Sequence, residues 1–140
     1  MKRRGVLNAL SIAGVATLTG CLGSRQRSEP VDSIVIPEIR LYNWTQTPVE
    51  INVIVTEDAE INSWKTYRIE ADSERIISTT PSSPGVYSIL ANPPTGSPRK
   101  TTAAWVLNNY GQDVVEPPRV ALEFDLRADG TFSRDYEMLE

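Results

Sequence analysis

From residue 33 onward the chain alternates between apolar and polar positions. Val49, Ile51, Val53 and Val55 recur at every second residue with mostly polar residues between them, the period of a strand that turns one face inward. Ile34–Tyr42 reads as an earlier strand broken at Pro37, a residue that cannot donate to a ladder and so suits an edge or a bulge. The turn-forming run Asn43–Pro48 between these two predicts a hairpin. Further strands are predicted over Trp64–Glu70, Arg75–Ser78, Val86–Ala91, Ala103–Leu107, Arg119–Leu126 and Phe132–Met138. Between them the chain breaks at Pro81–Gly85, at Asn92–Thr101 with its three prolines and one glycine, and at Asn108–Pro118. Asn92–Thr101 is expected to be a long loop. The last two strands are joined by Arg127–Thr131, where Asp129-Gly130 supplies the positive φ angles of a hairpin turn. No segment past residue 33 keeps a helical period. Seven or eight short strands at this spacing predict an all-β domain over residues 33–140, an Ig-like or Greek-key β-sandwich in preference to a barrel.

The N-terminal residues follow a different rule. Met1–Arg4 is positively charged, Val6–Leu18 is apolar or small apart from Asn8, Ser11 and Thr17, and Thr19-Gly20-Cys21 follows. A charged start, a short apolar run and small residues before a processing point make a signal peptide. This stretch of thirteen residues falls well short of the roughly 20 that span a bilayer as a helix. Leu18-Thr19-Gly20-Cys21 resembles a lipobox, the signature of prokaryotic lipoproteins, and Arg3-Arg4 with Val6-Leu7 resembles a twin-arginine export signal. Together with the acidic composition, this start is similar to that of haloarchaeal lipoproteins. The resemblance covers residues 1 to about 24. Lys2 stands where the twin-arginine pattern has serine or threonine, and Val6 where it has phenylalanine or leucine. It implies removal of residues 1–20, lipid on Cys21, a membrane partner held through that lipid, and a protein facing the extracellular side. Leu22–Asp32 is rich in Gly, Ser, Arg and Gln, so residues 21–32 read as a flexible lipid-anchored tether. The strands also resemble small Ig-like domains of secreted and lipid-anchored haloarchaeal proteins, through the Asn-Trp-Thr turn, Pro84-Gly85-Val86-Tyr87 and the closing Asp-Gly hairpin. This likeness concerns architecture and transfers no ligand.

Composition narrows the chemistry. The chain has no histidine and one cysteine, Cys21, which removes an internal disulfide, the commonest transition-metal ligand and the commonest general base. A cupredoxin-type copper site, which needs two histidines and a thiolate, is excluded, and no cofactor is expected. Removal of residues 1–20 takes away three positive charges and no negative ones, moving the formal net charge from −4 to −7. An acidic surface repels phosphate backbones, so no nucleic-acid partner is expected. The main expectation is a non-enzymatic adhesion, scaffolding or accessory module, with an envelope protein or glycan as partner and the loops making the contacts. Two others stand beside it. Trp44 or Trp64 can supply a ligand- or carbohydrate-binding surface if the rings are exposed side by side, whereas Trp105, in an apolar run, reads as core. A carboxylate-based hydrolase needs two acidic groups converging in a cleft. The densest acidic run, Glu57-Asp58-Ala59-Glu60, lacks the ligand spacing of a calcium loop and reads as solvated. Asn43-Trp44-Thr45 is an N-glycosylation sequon on a turn expected to be exposed, which makes Asn43 a candidate for modification.

Overall fold

The computed structural model describes residues 31–78, 83–110 and 114–140. These build β1 (Val35–Asn43), β2 (Val49–Glu57), β3 (Glu60–Ile69), β4 (Ser73–Ser78), β5 (Tyr87–Asn92), β6 (Arg99–Thr102), α1 (Ala103–Tyr110), β7 (Arg119–Leu126) and β8 (Phe132–Leu139). The strands form two four-stranded sheets, in the order β4-β1-β7-β8 (sheet I) and β3-β2-β5-β6 (sheet II). The protein is an all-β sandwich of eight strands. β1 lies parallel to β7 and antiparallel to β4, and the other paired strands are antiparallel.

The core is supplied mainly by the four inner strands, because each has a neighbour on both sides and one face against the opposite sheet. Leu41 of β1, Ile51 and Val53 of β2, Ile89 of β5, and Leu122 and Phe124 of β7 are buried, and the Phe124 and Phe132 rings stack with centroids 6.0 Å apart. Pro37 performs the role its chemistry allows. The β1–β7 register shifts between Val35 and Glu38, and the extra residue resets the alternation so that Ile36 and Ile39, three apart, both point inward. At the other end of the sandwich, Arg127–Thr131 closes the β7–β8 hairpin. Gly130 N–H donates to Arg127 O and Arg127 N–H to Thr131 O. Of the Asp-Gly pair, only Gly130 takes a positive φ, 85°, so the turn is a tight one followed by a left-handed glycine.

Three local expectations are corrected. β1 and β2 do not form a hairpin, since they belong to different sheets and Asn43–Pro48 is the corner by which the chain changes layer. Ala103–Leu107 is not a strand but the body of α1. Thr102 Oγ1 accepts a hydrogen bond from Trp105 N–H at 3.1 Å, the side-chain cap of a helix start, and Ala103 and Val106, one turn apart, are the buried pair. Helical spacing of the two buried residues won over the apolar run there, within the connection from β6 of sheet II to β7 of sheet I. The presumed loop Asn92–Thr101 ends in a strand, with Leu90 opposite Lys100 and Ile89 opposite Thr101.

Phe124, with no solvent exposure, fills the centre of the core with its stacked partner. Phe124→Ala is expected to lower the unfolding free energy by about 3–5 kcal/mol. In urea titration the midpoint falls while the slope is kept.

Candidate functional site

Cys21, Arg3 and Arg4 lie outside the described residues. Of the remaining candidates, Asn43 is placed opposite to expectation. It ends β1 at the corner, with no exposed surface. Its Nδ2 donates to the carbonyls of Thr47 (2.8 Å), Ile69 (3.2 Å) and Glu70 (3.1 Å), and its Oδ1 accepts from Thr45 N–H at 3.0 Å and from the Thr45 hydroxyl. Three carbonyls on one side and an N–H on the other fix which end of the amide is nitrogen. The nitrogen that glycosylation would modify is occupied and buried, so although the rest of the turn is exposed as expected, Asn43 itself is not. The sequon's pattern could not reveal this, because Asn43 continues the inward parity of Ile39 and Leu41 while its polarity suggests the outside.

The two tryptophans are exposed on opposite sides of the sandwich. Trp44 follows β1 and stacks on Tyr42 with centroids 5.7 Å apart and planes 6° apart, while its Nε1–H donates to Asp125 Oδ1 at 2.9 Å. This pair belongs to the outer face of sheet I. Beside it Arg40 gathers three carboxylates. Its guanidinium bonds Glu38 at 2.7 Å, Glu123 at 2.9 Å, and Glu137. The bonds to Glu137 and Glu38, then Glu123, hold the guanidinium well above its ordinary range, against the opposing pull of desolvation. Register places Glu74, Asp125 and Asp135 on the same outward rows. Six carboxylates therefore share this face with Arg40 and Arg119.

Sheet II presents a different outer surface. Trp64 of β3, Ile54 of β2, Leu90 of β5 and Lys100 of β6 lie directly opposite one another in successive pairs, forming one row across all four strands. Trp64 is 64% exposed, and its Nε1–H donates to Asn52 Oδ1 at 3.0 Å while Asn52 Nδ2 donates to Thr66 Oγ1 at 3.1 Å. The row on one side is Thr66, Asn52 and Asn92; on the other are Ile61, Thr56, Ser88 and Thr102. Among these three rows Lys100 is the one charged residue; Glu50 and Arg68 pair in the next row, where Arg68 is also ion-paired to Glu70. The residue-by-residue search for single tryptophans missed this row, although the outward half of the β2 alternation, Glu50, Asn52, Ile54 and Thr56, carried the signal.

Trp105 is half-buried between α1 and β8, edge-on to Tyr136 at 5.4 Å with the Arg134 guanidinium 4.4 Å over its ring. Glu57-Asp58-Ala59-Glu60 is the β2–β3 hairpin turn, with Asp58 and Ala59 at φ 49° and 67°. Glu57, Asp58 and Glu60 border a shallow hollow there. Among the described residues no three acidic or cysteine side chains are grouped to hold a metal ion, and no helix among them is long and apolar enough to cross a membrane.

No protein-family model matches the chain, and no curated protein does. Among solved structures it is similar to the NMR structure of a protein from Eubacterium rectale. The two are 14% identical, the match covers 80% of this chain and 95% of that one, and the TM-score is 0.41.

Tyr42 offers a pH-dependent reporter of the sheet I face. Partial burial, the hydrogen bond to Glu74 and the nearby Glu123 charge push its phenol up to about 12, because each disfavours the phenolate. An unfolded tyrosine ionises near 10. Below that pH both states are neutral and Tyr42 adds no pH dependence. As pH rises from about 10 to 12 the unfolded chain ionises first and stability falls. Phenolate absorbance should show late titration by Tyr42 and by Tyr87, whose phenol is also pushed up by burial; Tyr42→Phe should remove one of the two, and the variant should lose stability less steeply over that window.

Proposed function

We propose that this chain is an exported lipoprotein, held at the outer surface of the cell membrane by lipid on Cys21 and presenting its sandwich as a non-enzymatic adhesion, scaffolding or accessory module. The observation that carries the reading is the order of the chain. Arg3-Arg4, an apolar run and Leu18-Thr19-Gly20-Cys21 precede every strand of the sandwich, whose first begins at Val35. Nothing before residue 34 contributes to a sheet among the described residues. A two-chain lipid on one sulfur supplies about 0.8 kcal/mol per buried methylene, enough for stable anchoring, where a single short chain is marginal.

The entry point of the chain also suits tethering. Ile34 exchanges backbone hydrogen bonds with Gly85, and Val35 N–H donates to Pro118 O. The end of the sandwich bearing Gly85, Pro118 and the Glu57–Glu60 turn is thus nearest the tether. The Asn43–Pro48 corner and the Arg127–Thr131 turn lie at the far end of β1 and β7. Leu22–Asp32 reaches about 35–40 Å when extended, so both outer faces stand clear of the headgroups.

Intact mass and detergent-phase partitioning of the protein from a prokaryotic host, beside Cys21→Ser, test the reading. The native form is expected to lose residues 1–20, gain lipid mass and enter the detergent phase, and the variant to do none of these. Equal mass and equal solubility of the two forms overturn it.

A further inference from the structure

We infer that the outer face of sheet II is a binding surface for a neutral oligosaccharide chain, with Trp64 as its stacking platform. The face and the ring, not the membrane anchor, carry this inference, and it goes beyond the module reading by naming the ligand's chemistry.

Charge separates the two outer faces. Sheet I carries Glu38, Glu74, Glu123, Asp125, Asp135 and Glu137 on its outward rows. Sheet II, in the same acidic protein, carries Glu50, Arg68 and Lys100 on its outward rows, with Glu70, just past β3, ion-paired to Arg68. A face whose few charges balance, two of each sign, favours neither a strongly acidic nor a strongly basic partner, and its central row leaves a polyol few fixed ions to desolvate.

The shape of its apolar surface points the same way. Trp64, Ile54 and Leu90 form a narrow stripe across three strands, widened on β3 by the exposed Ile61 and ending at Lys100 on the fourth. A protein partner selects a broad desolvated centre with a polar rim. A pyranose is built differently: one flat side of C–H groups, edged by hydroxyls. The C–H side, weakly positive, matches the negative face of an indole. The flanking rows answer the hydroxyl edge, with the Asn52 and Asn92 amides and the Thr66 hydroxyl on one side and the Thr56, Ser88 and Thr102 hydroxyls on the other. Such groups both donate and accept, as sugar hydroxyls do. Four strands span about 14 Å, the length of a short oligosaccharide rather than of one sugar.

The platform is fixed before any ligand arrives. The Trp64 indole N–H is held by Asn52 Oδ1, and Asn52 is held in turn by Thr66, so little side-chain freedom remains to be lost on binding. Asn52 is a positioning residue: it orients the ring through one hydrogen bond. Trp44 is also fixed, by Asp125 and by its stacking on Tyr42, but one side of its ring is covered by Tyr42 and its surroundings are carboxylates.

Full-length protein in detergent, titrated with cellohexaose, β-1,4-mannohexaose and maltohexaose by calorimetry and tryptophan fluorescence, tests the site, with tetragalacturonate as the anionic control. At least one neutral hexamer is expected to bind and shift the fluorescence, and tetragalacturonate to bind more weakly. Trp64→Ala should weaken binding about tenfold or more, Asn52→Ala should weaken it several-fold while restoring mobility to the indole in fluorescence anisotropy, and Trp44→Ala should leave it unchanged. Both tryptophans are exposed, so an unchanged circular dichroism spectrum and melting temperature separate loss of the site from loss of the fold. Failure of all three neutral hexamers to bind, preference for tetragalacturonate, or binding that survives Trp64→Ala overturns the inference, and none of these results bears on the lipid at Cys21.

Discussion

The buried amide of Asn43 is the constraint on which the rest of the structure depends. A chain that changes sheets must turn through a corner, and the inner end of a corner leaves backbone groups without ladder partners where the two sheets meet. Asn43 supplies those partners with one side chain. It ends β1 in sheet I, accepts from Thr45 within the corner, and donates to Thr47 and to Ile69 and Glu70 at the end of β3 in sheet II. The short corner carries the chain from β1 into β2 of the opposite sheet, and Ile51, Val53 and Val55 share one core with Ile39 and Leu41. Trp44, one residue past the amide, is thrown to the outer face of sheet I, and Trp64 emerges on the opposite side.

Once the layers are set, strand alternation assigns every outward residue to one face or the other, and the two faces acquire separate chemistries. On sheet I the carboxylates need a counter-ion, which Arg40 provides by serving three of them; an exposed pair is worth little, but a shared half-buried guanidinium relieves repulsion among several like charges at once. On sheet II Trp64, Asn52 and Thr66 satisfy one another without charge, and Arg68 is ion-paired to Glu70 beside them. The Trp64 ring stays accessible.

Much of the fold was legible because strands with one buried face announce themselves. The inward residues of β2 and β7 appear at period two, and Pro37 marked its bulge. Where the reading failed, tertiary position outweighed local pattern. Ala103–Leu107 looked like a strand from its apolar run, yet Thr102 as a cap and Ala103 with Val106 at helical spacing were already present. The corner at Asn43–Pro48 has the composition of a hairpin turn, and no local property distinguishes a turn that pairs two strands from one that sends them to different sheets. Of the candidate residues, Trp44 and Trp64 are both exposed, but they are not side by side as a shared binding surface required, and their separation onto opposite faces followed only from sheet order. Asn43 was misplaced because a polar residue at a turn is ordinarily solvated. Arg40 and Asn52 escaped notice because their importance lies in partners distant in sequence, Glu123 and Glu137 for one and Trp64 and Thr66 for the other.

The corner is tested most directly by urea unfolding of Asn43→Ala and Asn43→Asp across pH. The alanine leaves three carbonyls and the Thr45 N–H without their partner and should cost about 2–4 kcal/mol. The aspartate keeps the accepting oxygen but turns a negative one toward three carbonyls. It should cost more than alanine at pH 7, with the gap narrowing below about pH 4 as the carboxyl gains a proton it can donate. Losses under about 0.5 kcal/mol for both variants, the range of an ordinary surface change, would contradict the view that this one amide joins the two sheets.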